Sequence, residues 1–207
     1  VFHVDAIQAY GKFQIIPKRM HIDLLSVSGH KIHGPKGIGF LYIKEKTKIR
    51  PISFGGDQQK GMRSGTINVP GIAGLGVAAA EAYAHLAENA EHMYELKAYF
   101  ADKLQQIGDV TINGKAGHDS APQIISASFL GVRSEVLLHS LEDRNIYVSA
   151  GSACSSNHPS QSGTLLNIGL DHAHQESTLR FSFCPETTRE ELDYTYGVLE
   201  ELLPMLR

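Results

Sequence analysis

Two segments of the chain concentrate residues able to do chemistry. In Ser26-Val-Ser-Gly-His-Lys-Ile-His-Gly-Pro-Lys-Gly, Lys31 follows an apolar run and lies between Gly29 and Gly34, glycines that let the backbone turn tightly and let a flat ligand approach. Such a lysine suits imine chemistry, because partial burial lowers its pKa from about 10.4 toward the range where the free amine exists. A surface lysine in a Gly-rich turn is the alternative. In the second segment, Cys154 stands in a loop of Ser, Gly and Ala that runs on to Gly163. A thiol in such a loop can ionise and move as a nucleophile, whereas an ordinary unpaired cysteine is a small buried hydrophobe. Cys184, in Phe-Ser-Phe-Cys, fits that ordinary case. Arg180 interrupts an apolar run with a fixed cation, which reads either as a bidentate grip on a substrate carboxylate or as a structural ion pair.

Around the lysine, Asp5 lies 26 residues upstream at the end of its own apolar run, with Gln8 three residues on. A carboxylate fixed at a strand end would pair with the protonated ring nitrogen of pyridoxal 5'-phosphate (PLP), the condition for that cofactor to act as an electron sink. Gln8 is placed to hydrogen-bond the ring hydroxyl. Ser28 and His30 flank the lysine with groups suited to a phosphate or to proton transfer. Asp5 could equally cap the segment that follows it.

The elements that must position these residues are legible in outline. Val1 to Val4 and Leu24 to Ser28 read as core strands with functional carboxyl ends, and Ile38 to Ile43 as a strand pairing with the one before Lys31. Residues 44 to 70 lack helical periodicity and read as a long loop, a length that suggests a site. Gly71 to Ile107 reads as one long helix or two joined ones. Strands over Gln123–Phe129, Ile146–Ala150 and Thr178–Phe183 alternate with a helix over Ser134–Leu141, implying a small α/β or α+β domain. Thr188 with Glu191 forms a capping box for a final helix striped by Leu192, Tyr196, Leu199, Leu202 and Leu203. The domain boundary is placed near residue 86, giving 1–86 and 87–207.

Bulk properties narrow the function. Lys and Arg total 19 against 22 Asp and Glu, a net charge of -3, so no basic field invites nucleic acid or an anionic membrane surface. Two cysteines are too few for a disulfide framework, and no apolar run approaches the roughly 20 residues of a membrane span. A reducing, cytoplasmic setting is expected. Eleven histidines raise a metal alternative, but His30 and His33 lie together in a Gly-Pro turn and no metal is assigned.

Taken together, His3-Val-Asp-Ala-Ile-Gln, Ser26-Val-Ser-Gly-His-Lys, Gly61-Met-Arg-Ser-Gly-Thr, Gly151-Ser-Ala-Cys and Leu179-Arg-Phe-Ser resemble the ordered signatures of the NifS/IscS-type cysteine desulfurases of the class-V aminotransferase family. The resemblance runs over essentially the whole chain. It implies an α/β PLP-dependent transferase of fold type I: residues 1–86 as the C-terminal part of the PLP-binding large domain with a mixed, mostly parallel sheet, and 87–207 as the small domain carrying the cysteine loop. It implies a homodimer converting L-cysteine to L-alanine. The sulfur would pass as a persulfide on Cys154 to an acceptor such as an iron–sulfur scaffold or a tRNA-thiolation protein.

By that match Lys31 carries the cofactor, Asp5 faces the ring nitrogen, Gln8 the ring oxygen, and Ser28 and His30 the phosphate side. Thr66 would reach the phosphate of the partner subunit's cofactor, and Arg180 would clamp the substrate carboxylate. His33 and the Ser-Phe-Cys-Pro-Glu run after Arg180 depart from the family pattern. The chain also opens as though a strand were already under way, and a preceding half with the rest of the cofactor pocket is expected. A chain beginning at Val1 would by itself bind cofactor weakly or not at all and show no desulfurase activity. An inactive dimerisation or sulfur-relay module, a class-V aminotransferase and a selenocysteine lyase remain the alternatives.

Overall fold

Three short strands build the first sheet, β1 (His3–Asp5) and β2 (Leu24–Ser28) with alternating burial and β3 (Gly39–Ile43) largely exposed, in the order β1-β2-β3. This computed structural model describes residues 1–150 and 162–207, which form two compact units, Val1–Glu88 and Asn89–Arg207. In the first unit β1 and β2 run parallel, with Asp5 opposite Ser26, while β2 and β3 are antiparallel, with Ser28 opposite Gly39. The strand after the lysine therefore pairs with the strand before it. Ala6, Ile22, Leu25 and Val27 form the core here, with Val4, Ala9, Tyr10, Ile15 and Tyr42 packed around them.

After a long loop, α1 (Val69–Ala84) starts with Pro at its beginning and Asn68 Oδ1 accepting from the Gly71 N–H. It is apolar on nearly all sides, yet only Gly71 and Leu75 are buried. Val77 is 72% exposed. Of the two readings of Gly71–Ile107, one long helix or two joined ones, the structure shows two, separated at His85, and α2 (Leu86–Leu104) continues into the second unit.

The second unit has a four-stranded sheet in the order β4-β5-β7-β6, made of β4 (Val110–Asn113), β5 (Ile124–Phe129), β6 (Ser149–Ala150) and β7 (Thr178–Ser182). Every pair is antiparallel, so this unit takes the α+β arrangement. One face is apolar. Ile125, Ala127, Phe129, Leu179 and Phe181 meet Met93, Leu96, Phe100 and Leu104 of α2, Leu137 and Leu141 of α3 (Ser134–Glu142), and Leu192, Leu199 and Leu203 of α6 (Arg189–Leu206). The capping box is present, with Glu191 N–H donating to Thr188 Oγ1 at 3.3 Å and Thr188 N–H to Glu191 Oε2 at 2.9 Å.

Two short helices, α4 (Gly163–Asn167) and α5 (His172–Glu176), were not anticipated. Of the strand expected over Ile146–Ala150 only Ser149 and Ala150 pair. Cys184 is not inside a strand: it lies beyond the end of β7, half-buried, and its N–H donates to Thr187 Oγ1. Among the described residues, no helix is long and apolar enough to cross a membrane.

Candidate functional site

The lysine turn lies just past the carboxyl end of β2, beside the carboxyl end of β1, where parallel-sheet proteins place their ligands. Gly29–Ile32 is a single 3-10 turn, closed by His33 in the left-handed region (φ 62°) with its N–H donating to the Gly29 carbonyl. The Gly34 N–H donates to the same oxygen at 2.9 Å. Gly29 and Gly34 are thus needed for closeness, not for a left-handed backbone. A Cβ on Gly34 would lie 3.0 Å from the Gly29 oxygen and 3.3 Å from Ala78 of α1, and one on Gly29 would lie 3.1 Å from Leu75. The turn therefore rests directly on α1.

Lys31 itself is half-buried, while Lys44, Lys46 and Lys48 are exposed. Its side-chain amine makes no hydrogen bond or ion pair with any described residue, and its backbone carbonyl accepts from Lys12 Nζ at 2.5 Å. Gly11 closes against the same turn, since a Cβ there would lie 2.7 Å from Ile32 Cγ2. Asp5 ends β1, exposed, with Oδ1 accepting from the Ile7 N–H at 3.0 Å; this local bond steadies the carboxylate and leaves its second oxygen without a protein donor among the described residues. Gln8 is exposed in the turn that follows β1, Ser28 ends β2 half-buried, and His30 points to solvent from the lysine turn.

Thr66 is exposed in the loop before α1, in a turn built by its neighbours. Ser64 is buried with Oγ donating to the Gly56 carbonyl at 2.6 Å, and the Gly65 N–H donates to Gln58 Oε1 at 3.1 Å. No hydrogen bond joins Thr66 to the Lys31 turn among the described residues.

In the second unit Arg180 does not break an apolar run so much as sit on the other side of it. Leu179 and Phe181 face the core, while Arg180 shares the opposite face with Thr178. Its Nη2 donates to Ser149 Oγ at 3.1 Å, and its Nε is buried without a partner among the described residues. No described carboxylate pairs with it. A half-buried guanidinium lacking a protein anion is costly to keep unless an exogenous one arrives. Cys154 lies outside the described residues.

Sequence reasoning passed over Lys12, which holds the Lys31 carbonyl, and Ser149, which holds Arg180. Neither has a local signal, because each acts through pairing between segments distant in sequence.

A lysine turn at the carboxyl ends of a parallel strand pair, in one unit, and an antiparallel sheet backed by helices, in the other, define the fold-type-I transferase architecture. Residues 1–195 match the family model described as aminotransferase class-V, and the chain belongs to that family.

Its relatives are specific in kind. The chain is 40% identical over its whole length to the cysteine desulfurase IscS of Dictyoglomus turgidum, covering 52% of that protein, and 41% identical to the mitochondrial cysteine desulfurase of Eremothecium gossypii, covering 42%. Among solved structures, a NifS-like protein superimposes with a TM-score of 0.88 at 36% identity, over 99% of this chain and 52% of that one. The NifS-like protein of Rickettsia africae gives 0.86 at 30% identity, over 97% and 53%. The chain thus spans about half the length of the relatives it matches.

Proposed function

We propose that this chain carries one half of the working parts of a PLP-dependent cysteine desulfurase. The observation that supports this best is the placement of a half-buried Lys31 amine and an Asp5 carboxylate oxygen, each without a partner among the described residues, at the carboxyl ends of paired parallel strands. This donor set fits PLP. Lys31 would hold the cofactor's aldehyde carbon, Asp5 its ring nitrogen, Gln8 its ring oxygen, Ser28 and His30 its phosphate side, and Thr66 the phosphate of the partner subunit's cofactor. When bound, PLP supplies an electron-withdrawing ring that stabilises negative charge at the substrate's Cα.

The chain's own residues then have distinct tasks. The Lys31 amine, released from the cofactor, accepts the α-proton of L-cysteine and later returns a proton, with His30 near enough in sequence to assist. Arg180 grips the α-carboxylate through the N–H groups left unpaired among the described residues. The Cys154 thiolate attacks the substrate sulfur: the new S–S bond forms as the substrate Cβ–S bond breaks, leaving a persulfide on Cys154 and, after protonation, L-alanine. That terminal sulfur is what an iron–sulfur scaffold or a tRNA-thiolation protein would accept. The exposure of the large apolar side chains Ile52, Phe54, Val69 and Val77 supports their burial against a second copy in a homodimer, with 1–86 belonging to the cofactor domain and 87–207 to the small domain.

Replacing Cys154 by Ala tests the reading. Sulfide release from L-cysteine with a thiol reductant should fall by at least a hundredfold while cofactor binding persists; unchanged release would make Cys154 incidental and point to a lyase or an aminotransferase.

A further inference from the structure

The face of the second sheet turned away from the core is lined by polar side chains. Register sets Asn113, Ser126, Arg180 and Ser149 opposite one another across β4, β5, β7 and β6. In the next row the hydroxyls of Ser128 and Thr178 meet at 2.7 Å, fully enclosed. Asn113 Nδ2 donates into this group, at 2.9 Å to Ser128 Oγ and 3.3 Å to Ser126 Oγ. The three hydroxyls and the Asn113 amide nitrogen are joined in this way, while Asn113 Oδ1 is buried without a partner among the described residues. Arg180 is the row's only charged side chain: among the described residues its one hydrogen-bond partner is Ser149 Oγ, and its Nε is enclosed and unpaired.

We propose that Ser149 is the positioning residue that aims the Arg180 guanidinium at a substrate α-carboxylate, an inference that rests on the desulfurase reading. The choice of a hydroxyl has a physical reason. A neutral acceptor fixes one arm of the planar fork without cancelling its charge, so the remaining donors keep their full attraction for an anionic ligand. A carboxylate at the same place would form the ion pair itself and compete with the ligand.

Orientation matters because an arginine side chain gives up several rotatable bonds on engaging a ligand, and holding Nη2 beforehand removes part of that cost. Ser149 also lies on β6, the short edge strand, five residues before Cys154 in the sequence.

The test uses the intact protein loaded with PLP, comparing the parental form with Ser149→Ala, Ser149→Thr and Ser149→Asp. Dissociation constants are measured for L-alanine and for cysteamine, which lacks the carboxylate, alongside KM and kcat for L-cysteine. Loss of one hydrogen bond to a charged group predicts that Ser149→Ala weakens L-alanine binding and raises KM by about tenfold. Meanwhile kcat should stay within about twofold and cysteamine binding should be unaltered. Ser149→Thr should restore parental values, and Ser149→Asp should weaken L-alanine binding further than Ala does.

The inference is overturned if Ser149→Ala binds L-alanine as the parental protein does, or if it loses L-alanine and cysteamine equally, as a merely unfolded site would. A parental protein that binds neither L-cysteine nor L-alanine would overturn the desulfurase reading, and this inference with it.

Discussion

Truncating Phe100 to Ala should remove a large part of the stability of the second unit. The ring is fully enclosed and meets Phe181 edge-on at 5.3 Å and 74°, and Phe183 at 6.3 Å and 84°. Both partners are fixed at the end of the sheet, since Phe181 pairs with Ile125 and the Phe183 N–H donates to the Gln123 carbonyl at 2.9 Å. They cannot move in to fill the space. Phe100 also forms part of the wall of a cavity of about 270 Å³, shared with Ile146, Val148, Phe181 and Leu192.

Phe→Ala changes in cores cost about 3–5 kcal/mol, and edge-to-face aromatic pairs add about 0.5–1.5 kcal/mol beyond area burial; with poor collapse the expected loss is about 4 kcal/mol. Against a typical total of about 5–15 kcal/mol, that is about a quarter or more. Urea unfolding followed by far-UV circular dichroism reads it. With a slope near 2 kcal/mol/M, the midpoint should fall by about 2 M. A loss under about 1 kcal/mol would refute the packing described here.

Two further perturbations probe local physics. Thr188→Ala breaks the capping box of α6 and should cost about 1 kcal/mol, recovered by Thr188→Asp; urea midpoints that do not separate the two variants would deny the cap. Lys97 is 9% exposed, with Nζ donating to Ser120 Oγ at 2.7 Å and the Ala121 carbonyl at 2.8 Å, and burial pulls its pKa below the ordinary lysine value. The unfolded chain therefore keeps this proton to higher pH than the folded one, so stability attributable to Lys97 rises as pH climbs from the lowered value toward about 10.4. The stability of the parental protein relative to Lys97→Met should accordingly improve between pH 7 and pH 10. A gap that is constant or closes the other way contradicts it.

What was legible in the sequence is what local rules govern. The capping box needs only Thr188 and Glu191 three apart, and the β2–β3 pairing needs two apolar runs joined by a Gly-Pro turn. Strand β4 and helices α4 and α5 were missed because four or five residues are too few to show a period. The left-handed backbone at His33 was invisible because the residue is not glycine.

Arg180 read as an intruder in an apolar run because the run alternates between a core face and a polar face, and only the register with β5 and β6 reveals the second. Asp5 and Lys31 were found by chemistry and order, but their proximity rests on parallel pairing across 26 residues, which no local pattern encodes. The apolar surface of α1 posed the reverse case, since an all-round apolar helix reads as buried and yet Val77 lies open in this chain.

The claim on which the account turns is that Lys31 carries the cofactor. Incubation of the protein with PLP, reduction with borohydride and peptide mass spectrometry test it directly. A pyridoxyl adduct on the peptide containing Lys31, lost in Lys31→Ala, is the predicted result; an adduct confined to other lysines, or none at all, would contradict the account.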